Sequence, residues 1–395
     1  MRVIRVLLKF FGLSNRGFAI RFFAFMYAKG RTVPTPIIRF FLKSRSFALP
    51  ATSALAPQNM GKLKNVFLSL IENHGYSSTP LKSATVKREL LILLPRSTSE
   101  NITRIALANE MYRLLSIFGF EVKLQEHEGQ TPPLDFGCFT SADWLIIDSE
   151  FNQTNLEQIF TAIKAIRKFR SIKVAMVVYD LWRRRDLNIV AFSLDCVDLF
   201  LHMDNLAVDK YFSGQKESFK FWPITQVASQ LLVDRCSSRS PTLFFSGRLM
   251  SDRLLVANEI FQFLKSTRFT PDFSFSDAHH FPLNESSYRK KLETSELSLS
   301  FTQRKVNHWI IPGRSLEILL SGSLLLQQEG LDESPLSAYL TPFEHYIPFT
   351  SVVELRNAVR LCSEHPDIVK VISSRGRAQT LKIITDIVGN SAFNQ

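Results

Sequence analysis

Short apolar runs alternate with longer stretches of helical periodicity from residue 89 onward. In the first half of this region, apolar runs of strand length lie at 89–94, 121–124, 144–147, 172–179, 197–202 and 219–222. Helical patterns at 99–118, with Ser99 as its cap, and at 155–170 lie between them. This alternation predicts a doubly wound parallel α/β sheet, in which ligands bind at the carboxyl ends of the strands.

The polar stretch CSSRSP at 236–241 marks a domain boundary, after which the alternation resumes. A predicted strand at 242–245 leads into Ser246, Gly247 and Arg248. The remaining predicted elements are a strand at 297–301 and helices at 252–265, 288–294, 352–362, 366–375 and 378–388. We therefore predict an N-terminal Rossmann-like domain over 85–238 and a C-terminal one over 239–395.

The stretch IIPGRSLEILLSGSLLLQ, residues 310–327, organises the second domain. Pro312 suits the first turn of a helix, where no backbone hydrogen bond is lost, and Gly322 ends that helix. The leucines that follow form an apolar run typical of a strand covered on both faces. Glu317 is the only acid in the helix, so we expect it at an edge, against a partner or against a ligand. Arg314 and Glu317 are both placed near the helix N-terminus.

Charge separates the first 71 residues from the rest of the chain. They contain twelve Lys or Arg and no Asp or Glu, and so carry the whole net charge of +12, whereas the remainder has 36 residues of each sign. A basic stripe on a folded domain would have to appear after residue 71. A nucleic-acid-binding core is therefore disfavoured.

Residues 1–30 have the composition of an interfacial amphipathic helix. Arg2, Arg5, Lys9 and Arg16 form a cationic stripe, and Val, Ile, Leu and Phe fill the rest. An organelle transit peptide and a helix packed on the protein's own body are the alternatives. Residues 31–84 are interpreted as a linker with a docking helix at 60–73, and no apolar run is long enough to predict a spanning helix.

The four cysteines, Cys138, Cys196, Cys236 and Cys362, are far apart and form no CxxC pair. Reduced thiols in a cytosolic compartment are therefore expected, and a zinc site is not. The adjacent histidines His279 and His280 lack further ligands in sequence.

Several motifs resemble one enzyme family. Arg314-x-x-Glu317, followed by Gly322 and a leucine-rich strand, then FEHYIPF at 343–349 and SVVELRNAVRLCSEHPDIVKVISSRGR at 351–377, resemble the C-terminal domain of GT-B glycosyltransferases. The branch similar to the spore-maturation protein CgeB is the nearest in pattern. The resemblance covers about 241–377, and it implies two Rossmann-like domains facing a cleft, with the nucleotide-sugar donor in the second and the acceptor in the first. It also implies that the last helix crosses back onto the first domain.

The resemblance implies roles for four residues. Gly247 and Arg248 would line the donor phosphates, Glu317 would accept hydrogen bonds from the ribose hydroxyls, and Arg314 would stand beside it. We therefore take Arg248, Arg314 and Glu317 as candidate catalytic residues, and these three with Gly247 as the nucleotide-binding set. The alternatives are a turn glycine with a solvated arginine, and an acid held by the helix dipole and by Arg314. The ribose role requires Glu317 to open onto the groove between the domains.

One departure from the family pattern bears on stereochemistry. Many retaining GT-B enzymes have a second glutamate eight positions before the one that matches Glu317, and here that position is Trp309. The sugar contact of that glutamate is therefore not carried over. Retaining chemistry is in doubt.

The expected activity is transfer of a sugar from a nucleotide-sugar to an envelope, lipid-linked or polysaccharide acceptor. No cofactor is expected, and the absence of an Asp-x-Asp motif predicts that no metal is needed. His279, His308 and Asp180 are the conceivable general bases. We expect a cytoplasmic enzyme held at the inner membrane face by residues 1–30, which would contact an anionic membrane surface. A non-catalytic nucleotide-binding protein and a membrane-tethered scaffold of the same fold are the alternatives.

Overall fold

The computed structural model describes residues 88–95, 102–127, 142–233, 238–248, 251–276, 283–305, 308–330, 334–389 and 393. The predicted basic helix, linker and docking helix of residues 1–84 lie outside the described residues. So do His279 and His280. Helices and strands are numbered below in chain order.

Within the described residues, the first sheet consists of six parallel strands in the order β2-β1-β3-β4-β5-β6. The strands are β1 (Glu89–Pro95), β2 (Glu121–His127), β3 (Trp144–Asp148), β4 (Lys173–Val177), β5 (Leu199–His202) and β6 (Phe219–Phe221). The helices are α1 (Ile102–Ile117), α2 (Gln153–Ile166), α3 (Arg184–Ser193), α4 (Asn205–Tyr211) and α5 (Ala228–Val233). Every residue of β3 is buried, as expected for a strand covered on both faces.

The second sheet has five parallel strands in the described part of the chain, in the order β13-β12-β9-β7-β8. Its strands are β7 (Ser240–Arg248), β8 (Thr270–Ser276), β9 (Ser295–Ser300), β12 (Leu324–Gln328) and β13 (Ile347–Phe349). A short hairpin, β10 (Gln303–Lys305) and β11 (His308–Trp309), follows β9. The helices are α6 (Ser251–Leu264), α7 (Glu285–Thr294), α8 (Gly313–Ser321), α9 (Val352–Glu364) and α10 (Pro366–Ile384).

Both sheets follow one strand order. In each, the second strand lies outside the first, and the third and later strands extend in the opposite direction. The side on which successive strands are added therefore changes between β1 and β3, and likewise between β7 and β9. In such sheets, ligand crevices form at this switch point, beyond the carboxyl ends of the strands. The predicted fold class, two doubly wound parallel α/β domains, is confirmed.

The unit at 310–327 folds as its pattern predicts. Pro312 is the N-cap of α8, and Gly322 ends the helix in the left-handed conformation with φ 78°. A side chain at that φ would be strained, which explains the glycine. The strand that follows, β12, is buried along its leucines.

One prediction near the C-terminus is wrong. The separate helices predicted at 366–375 and 378–388 form the single helix α10, with a π-helical turn at Thr385–Gly389 behind it. The sequence suggests a break because Gly376 lowers helix propensity. Inside the fold this glycine lets the His345 carbonyl oxygen approach, since a Cβ there would lie 2.3 Å from it.

One of the three apolar clusters of the described residues spans both domains. Residues of the first sheet and of α1 pack in the same cluster as α8 and the end of α10. Phe393 is fully buried and makes edge-to-face contacts with Trp144, Trp222 and Phe120, at centroid distances of 5.1, 5.5 and 6.2 Å. The end of the chain is therefore anchored in the first domain.

Candidate functional site

Two predicted site residues meet at the carboxyl end of β7. The Arg314 guanidinium lies against Gly247, where a Cβ would be 2.7 Å from Nη1, and it also lies over the Phe245 ring at 5.6 Å. Only glycine leaves room for this close approach. The Nε atom of Arg314 is buried and has no hydrogen-bond partner within the described residues. Arg248 is the last residue of β7, and its side chain lies outside the described residues.

A second arginine, missed by the sequence analysis, lies on the same aromatic pair. Arg253 is 5% exposed and stacks on Phe301 at 5.6 Å, and Phe301 meets Phe245 edge-to-face at 5.1 Å. Arg253 is in the first turn of α6, and Arg314 is in the first turn of α8. A cation at the N-terminus of a helix lies at the positive end of the helix dipole. The switch point of the second sheet therefore concentrates positive charge, which an anion would neutralise.

Glu317 is enclosed by protein. It is 2% exposed, its Oε2 accepts a hydrogen bond from the Tyr288 hydroxyl at 2.7 Å, and its Oε1 accepts one from the Gln226 backbone N–H. Burial raises the pKa of Glu317, while the bonds from Gln226 and Tyr288 and the charge of Arg314 lower it in part. A ribose contact would have to displace one of these donors. The expectation that Glu317 opens onto the groove between the domains is therefore wrong, because protein donors occupy both carboxylate oxygens. Its ribose role stays a prediction.

Glu110 is a second buried acid that the sequence analysis did not single out. It lies in α1, is 1% exposed, and accepts hydrogen bonds from the Ser229 hydroxyl at 2.6 Å and from the Ser229 backbone N–H. Burial raises its pKa to about 7, against the lowering effect of the Ser229 bonds. The charge of Glu317 raises it further. One feature of the sequence could have identified Glu110. It is the only acid in α1, as Glu317 is the only acid in α8.

These two acids, one from each domain, hold a single segment of the chain. Residues 222–229, here called the connector, run from β6 into α5 and receive one carboxylate from each domain. At Gly313, a Cβ would lie 2.0 Å from the Ile224 carbonyl oxygen, so the start of α8 packs directly on the connector. The connector is therefore fixed from both sides.

A small crevice, partly open to solvent and with a free volume of about 10 Å³, lies at the switch point of the first sheet. Its walls are mainly apolar side chains of α1, β1, β3, β4 and the connector, and its polar lining residues are Glu110, Asp148, Tyr179 and Thr225. The Tyr179 hydroxyl donates to Asp148 at 2.7 Å. The Thr225 hydroxyl is buried and has no partner in the described part of the chain.

The two domains also meet at the carboxyl end of β5. His308 Nε2 lies 2.9 Å from Asp204 Oδ2, and Asn205 Nδ2 donates to the Tyr339 hydroxyl at 2.8 Å. Of the other conceivable bases, Asp180 is paired with Arg183 at 2.9 Å, and His279 lies outside the described residues.

Trp309, at the position of the glutamate that retaining enzymes carry, packs against Gly330. A Cβ on that glycine would lie 2.7 Å from the indole. The position is therefore filled by a packed ring.

Within the described ranges, no group of three or more His, Cys, Asp or Glu side chains is placed to hold a metal ion. Across the same ranges, none of the helices combines the length and the hydropathy needed to cross a bilayer. The described cysteines, Cys196 and Cys362, are buried free thiols.

Solved structures match this two-domain arrangement. An alpha-glucosyltransferase in complex with UDP-glucose and DNA containing an abasic site shares 10% identity, and the superposition covers 77% of this chain and 100% of that one, with a TM-score of 0.54. An alpha-glucosyltransferase in complex with UDP shares 12% identity, with 76% and 100% covered and a TM-score of 0.52. This chain has the GT-B glycosyltransferase fold.

The C-terminal half of this GT-B protein also matches by sequence. Residues 255–385 match the glycosyl transferase-like family. The match runs from within α6 to the end of α10 and includes Arg314 and Glu317. A search of curated proteins finds no match to the chain.

Proposed function

We propose that this protein is a GT-B glycosyltransferase that moves a sugar from a nucleotide-sugar donor to a hydroxyl of a saccharide or lipid-linked acceptor. The donor would bind at the switch point of the second sheet and the acceptor at that of the first. Transfer would need no metal, because arginines supply the positive charge that a diphosphate leaving group requires. The narrower likeness to the CgeB branch stays a prediction.

The observation that carries the proposal is the Arg314 guanidinium held over Gly247. Its buried Nε has no partner among the described residues, and Arg253 adds a second guanidinium on the other ring of the Phe245 and Phe301 pair. Glu317 and Tyr288 lie beside Arg314, and two guanidiniums in the first turns of two helices, at their positive ends, favour the binding of a further anion. A diphosphate has the charge and the oxygen acceptors to bind there.

On the acceptor side, the small crevice beside α1 is lined by apolar side chains together with two carboxylates, a phenol and a hydroxyl. Its free volume holds about one water molecule, so the assignment of the acceptor to this domain rests on the switch-point rule and not on the size of the crevice. Nucleic acid is not proposed as a partner, although one of the similar structures contains DNA, because the chain after residue 71 is neutral overall. UDP-sugars are the first donors to test, since both similar structures contain UDP or UDP-glucose.

A thermal-shift panel of nucleotides and nucleotide-sugars tests the donor site. A ligand at a hundred times its dissociation constant stabilises the native state by about 2.7 kcal/mol. One nucleotide should raise the melting temperature of the wild type, and Arg314→Gln should reduce that shift. The matched control is Arg356→Gln, which removes an arginine from the partly exposed ion pair with Glu259. No shift from any nucleotide would contradict the proposal.

The same panel separates the individual roles. If Arg248 contacts the phosphates, Arg248→Ala should weaken the binding of nucleoside diphosphates and leave the binding of a free nucleoside unchanged. Glu317→Ala should abolish the nucleoside shift only if Glu317 reaches the ribose. An unchanged shift would mean that Glu317 only holds the connector in place, through the hydrogen bond from Gln226.

The second candidate is a non-catalytic nucleotide-binding or membrane-tethered scaffold protein of the same fold. It is favoured by the enclosure of Glu317 and by Trp309 at the position of the missing glutamate. A nucleotide shift without turnover of any nucleotide-sugar would support a binding protein. No nucleotide shift at all would support a scaffold.

The proposed location is the cytoplasmic face of the inner membrane, through the basic segment 1–30. The support is charge, because all twelve excess cations precede residue 72. Deleting residues 1–30 should weaken binding to anionic liposomes but leave the nucleotide shift intact. Equal liposome binding with and without this segment would end the membrane proposal.

A further inference from the structure

The pair of Asp204 and His308 joins the carboxyl edges of the two domains. Asp204 follows β5 of the first sheet, and His308 belongs to the hairpin after β9 of the second, six residues before Arg314. His308 Nε2 and Asp204 Oδ2 are 2.9 Å apart. The pair therefore lies where the edges expected to bind donor and acceptor face each other.

Asp204 is itself held in place. Its Oδ1 accepts a hydrogen bond from the Ala207 backbone N–H at 3.0 Å, and its own N–H donates to His202 Nδ1 at 3.0 Å. Burial lowers the pKa of His202 to about 4, so this neighbour is neutral at physiological pH. A fixed, buried carboxylate on one ring nitrogen orients the imidazole and fixes which nitrogen faces away from it.

Among the described residues, the second ring nitrogen of His308, Nδ1, has no hydrogen-bond partner. The His308 side chain is 15% exposed. The Trp182 ring lies beside it at a centroid distance of 6.4 Å. The charged groups on the contacting elements are Asp204 and, on either side of Trp182, the ion pair of Asp180 with Arg183. Glu110, by contrast, is 1% exposed and is engaged by Ser229.

We propose that His308 is the general base of the transfer reaction and that Asp204 is its positioning residue. This inference rests on the proposed function. The acceptor hydroxyl gives its proton to His308 Nδ1 while its oxygen bonds to the anomeric carbon of the sugar. The bond from that carbon to the diphosphate oxygen breaks, and its electron pair leaves with the nucleoside diphosphate. A base that acts directly on the acceptor, on the face opposite the leaving group, predicts inversion at the anomeric carbon.

The test is hydrolysis of a nucleotide-sugar by the full-length chain, with water as the acceptor. The probes are UDP-glucose, UDP-N-acetylglucosamine and GDP-mannose, and the nucleotide thermal shift is measured in parallel. His308→Gln should lower the hydrolysis rate by about 10²-fold or more while keeping the nucleotide shift. Added imidazole should restore part of the rate of His308→Ala, and Asp204→Asn should lower the rate without removing the shift.

The control is Tyr339→Phe. It removes the neighbouring hydrogen bond between the domains, from Asn205, but leaves the histidine and aspartate intact. It should hydrolyse at the wild-type rate. An equal loss in Tyr339→Phe, or a His308→Gln variant that keeps its rate within about threefold, would show that the pair only joins the domains and would overturn the inference.

The stereochemistry of hydrolysis is an independent test of the role of His308. Early ¹H NMR spectra of the released sugar should show the anomer opposite to that of the donor. Retention would overturn the role of His308 and leave the proposed function standing. A wild type that neither binds nor hydrolyses any probe would overturn both.

Discussion

The two sheets share a strand order, yet the side chains beyond their carboxyl edges differ. In the first domain an aspartate ends β3 and others follow β4 and β5 closely, namely Asp148, Asp180 and Asp204. In the second domain the first turns of two helices carry Arg253 and Arg314 instead. Since the backbone topology is the same, the difference shows that a few residues beyond the strand ends set the chemistry of each edge. The second edge suits an anion, whereas the first presents carboxylates, of which Asp180 is paired with Arg183.

The two edges face each other only while the domains stay packed together. The largest expected loss of stability therefore comes from a substitution that disrupts this packing. Phe393→Ala removes a fully buried ring from the aromatic cluster with Trp144 and Trp222. We expect a loss of about 3–5 kcal/mol in the free energy of unfolding, measured with urea. Phe169→Ala is the control, because that ring is 90% exposed. Equal losses would show that the tail does not anchor the first domain.

A smaller, pH-dependent effect is expected at the connector, where the acids of the two domains meet. The raised pKa of Glu110 means that the folded state holds its proton more tightly than the unfolded state does. The stabilisation of the folded state by protonated Glu110 is fully present below pH 4.5 and is lost as pH rises through about 7. Glu110→Gln keeps an acceptor for Ser229 and carries no charge, so at pH 8 it should be more stable than wild type by roughly 2–3 kcal/mol.

His202 acts in the opposite direction. Its pKa is lowered to about 4, so the stability it contributes is present above pH 6.5 and is lost as pH falls through 4. The two effects oppose each other over much of that range. Unfolding should therefore be compared between Glu110→Gln and wild type at each pH. A difference that does not change between pH 5 and pH 8 would contradict the assigned role of Glu110.

The smallest change in stability is expected at the positive edge. Gly247→Ala places a Cβ against the end of a flexible arginine, which can move, so the free energy of unfolding should change by less than about 1 kcal/mol. The nucleotide thermal shift should nevertheless fall, because Arg314 is displaced. Gly313→Ala is the matched comparison, since its Cβ would meet the backbone of Ile224 and should destabilise the fold. An unaltered nucleotide shift in Gly247→Ala would separate this edge from ligand binding.

Periodicity predicted the two α/β domains well, because strands buried on both faces and helices with one apolar face leave distinct patterns. It wrongly predicted a break in α10 at Gly376. This glycine lies within the helix, where the absence of a Cβ allows a close contact with the His345 carbonyl oxygen. The candidate site could be predicted from the sequence only in part. Gly247 and Arg314 were selected, but Glu110 and Arg253 were not. The pairing of His308 with Asp204 joins residues 104 positions apart, which no local pattern connects.

The sequence by itself determined the fold class and the end of α8 at Gly322, since both depend on neighbouring residues. It also determined, through composition alone, that the first 71 residues are basic and the rest of the chain is neutral overall. Only the tertiary structure decided what the acids do. Glu317 looks identical in sequence whether it faces a ribose or a backbone N–H, and the connector that encloses it comes from 91 residues away. Hydrogen bonds and desolvation act through space, so the protonation and accessibility of a carboxylate are set by the groups that folding brings to it.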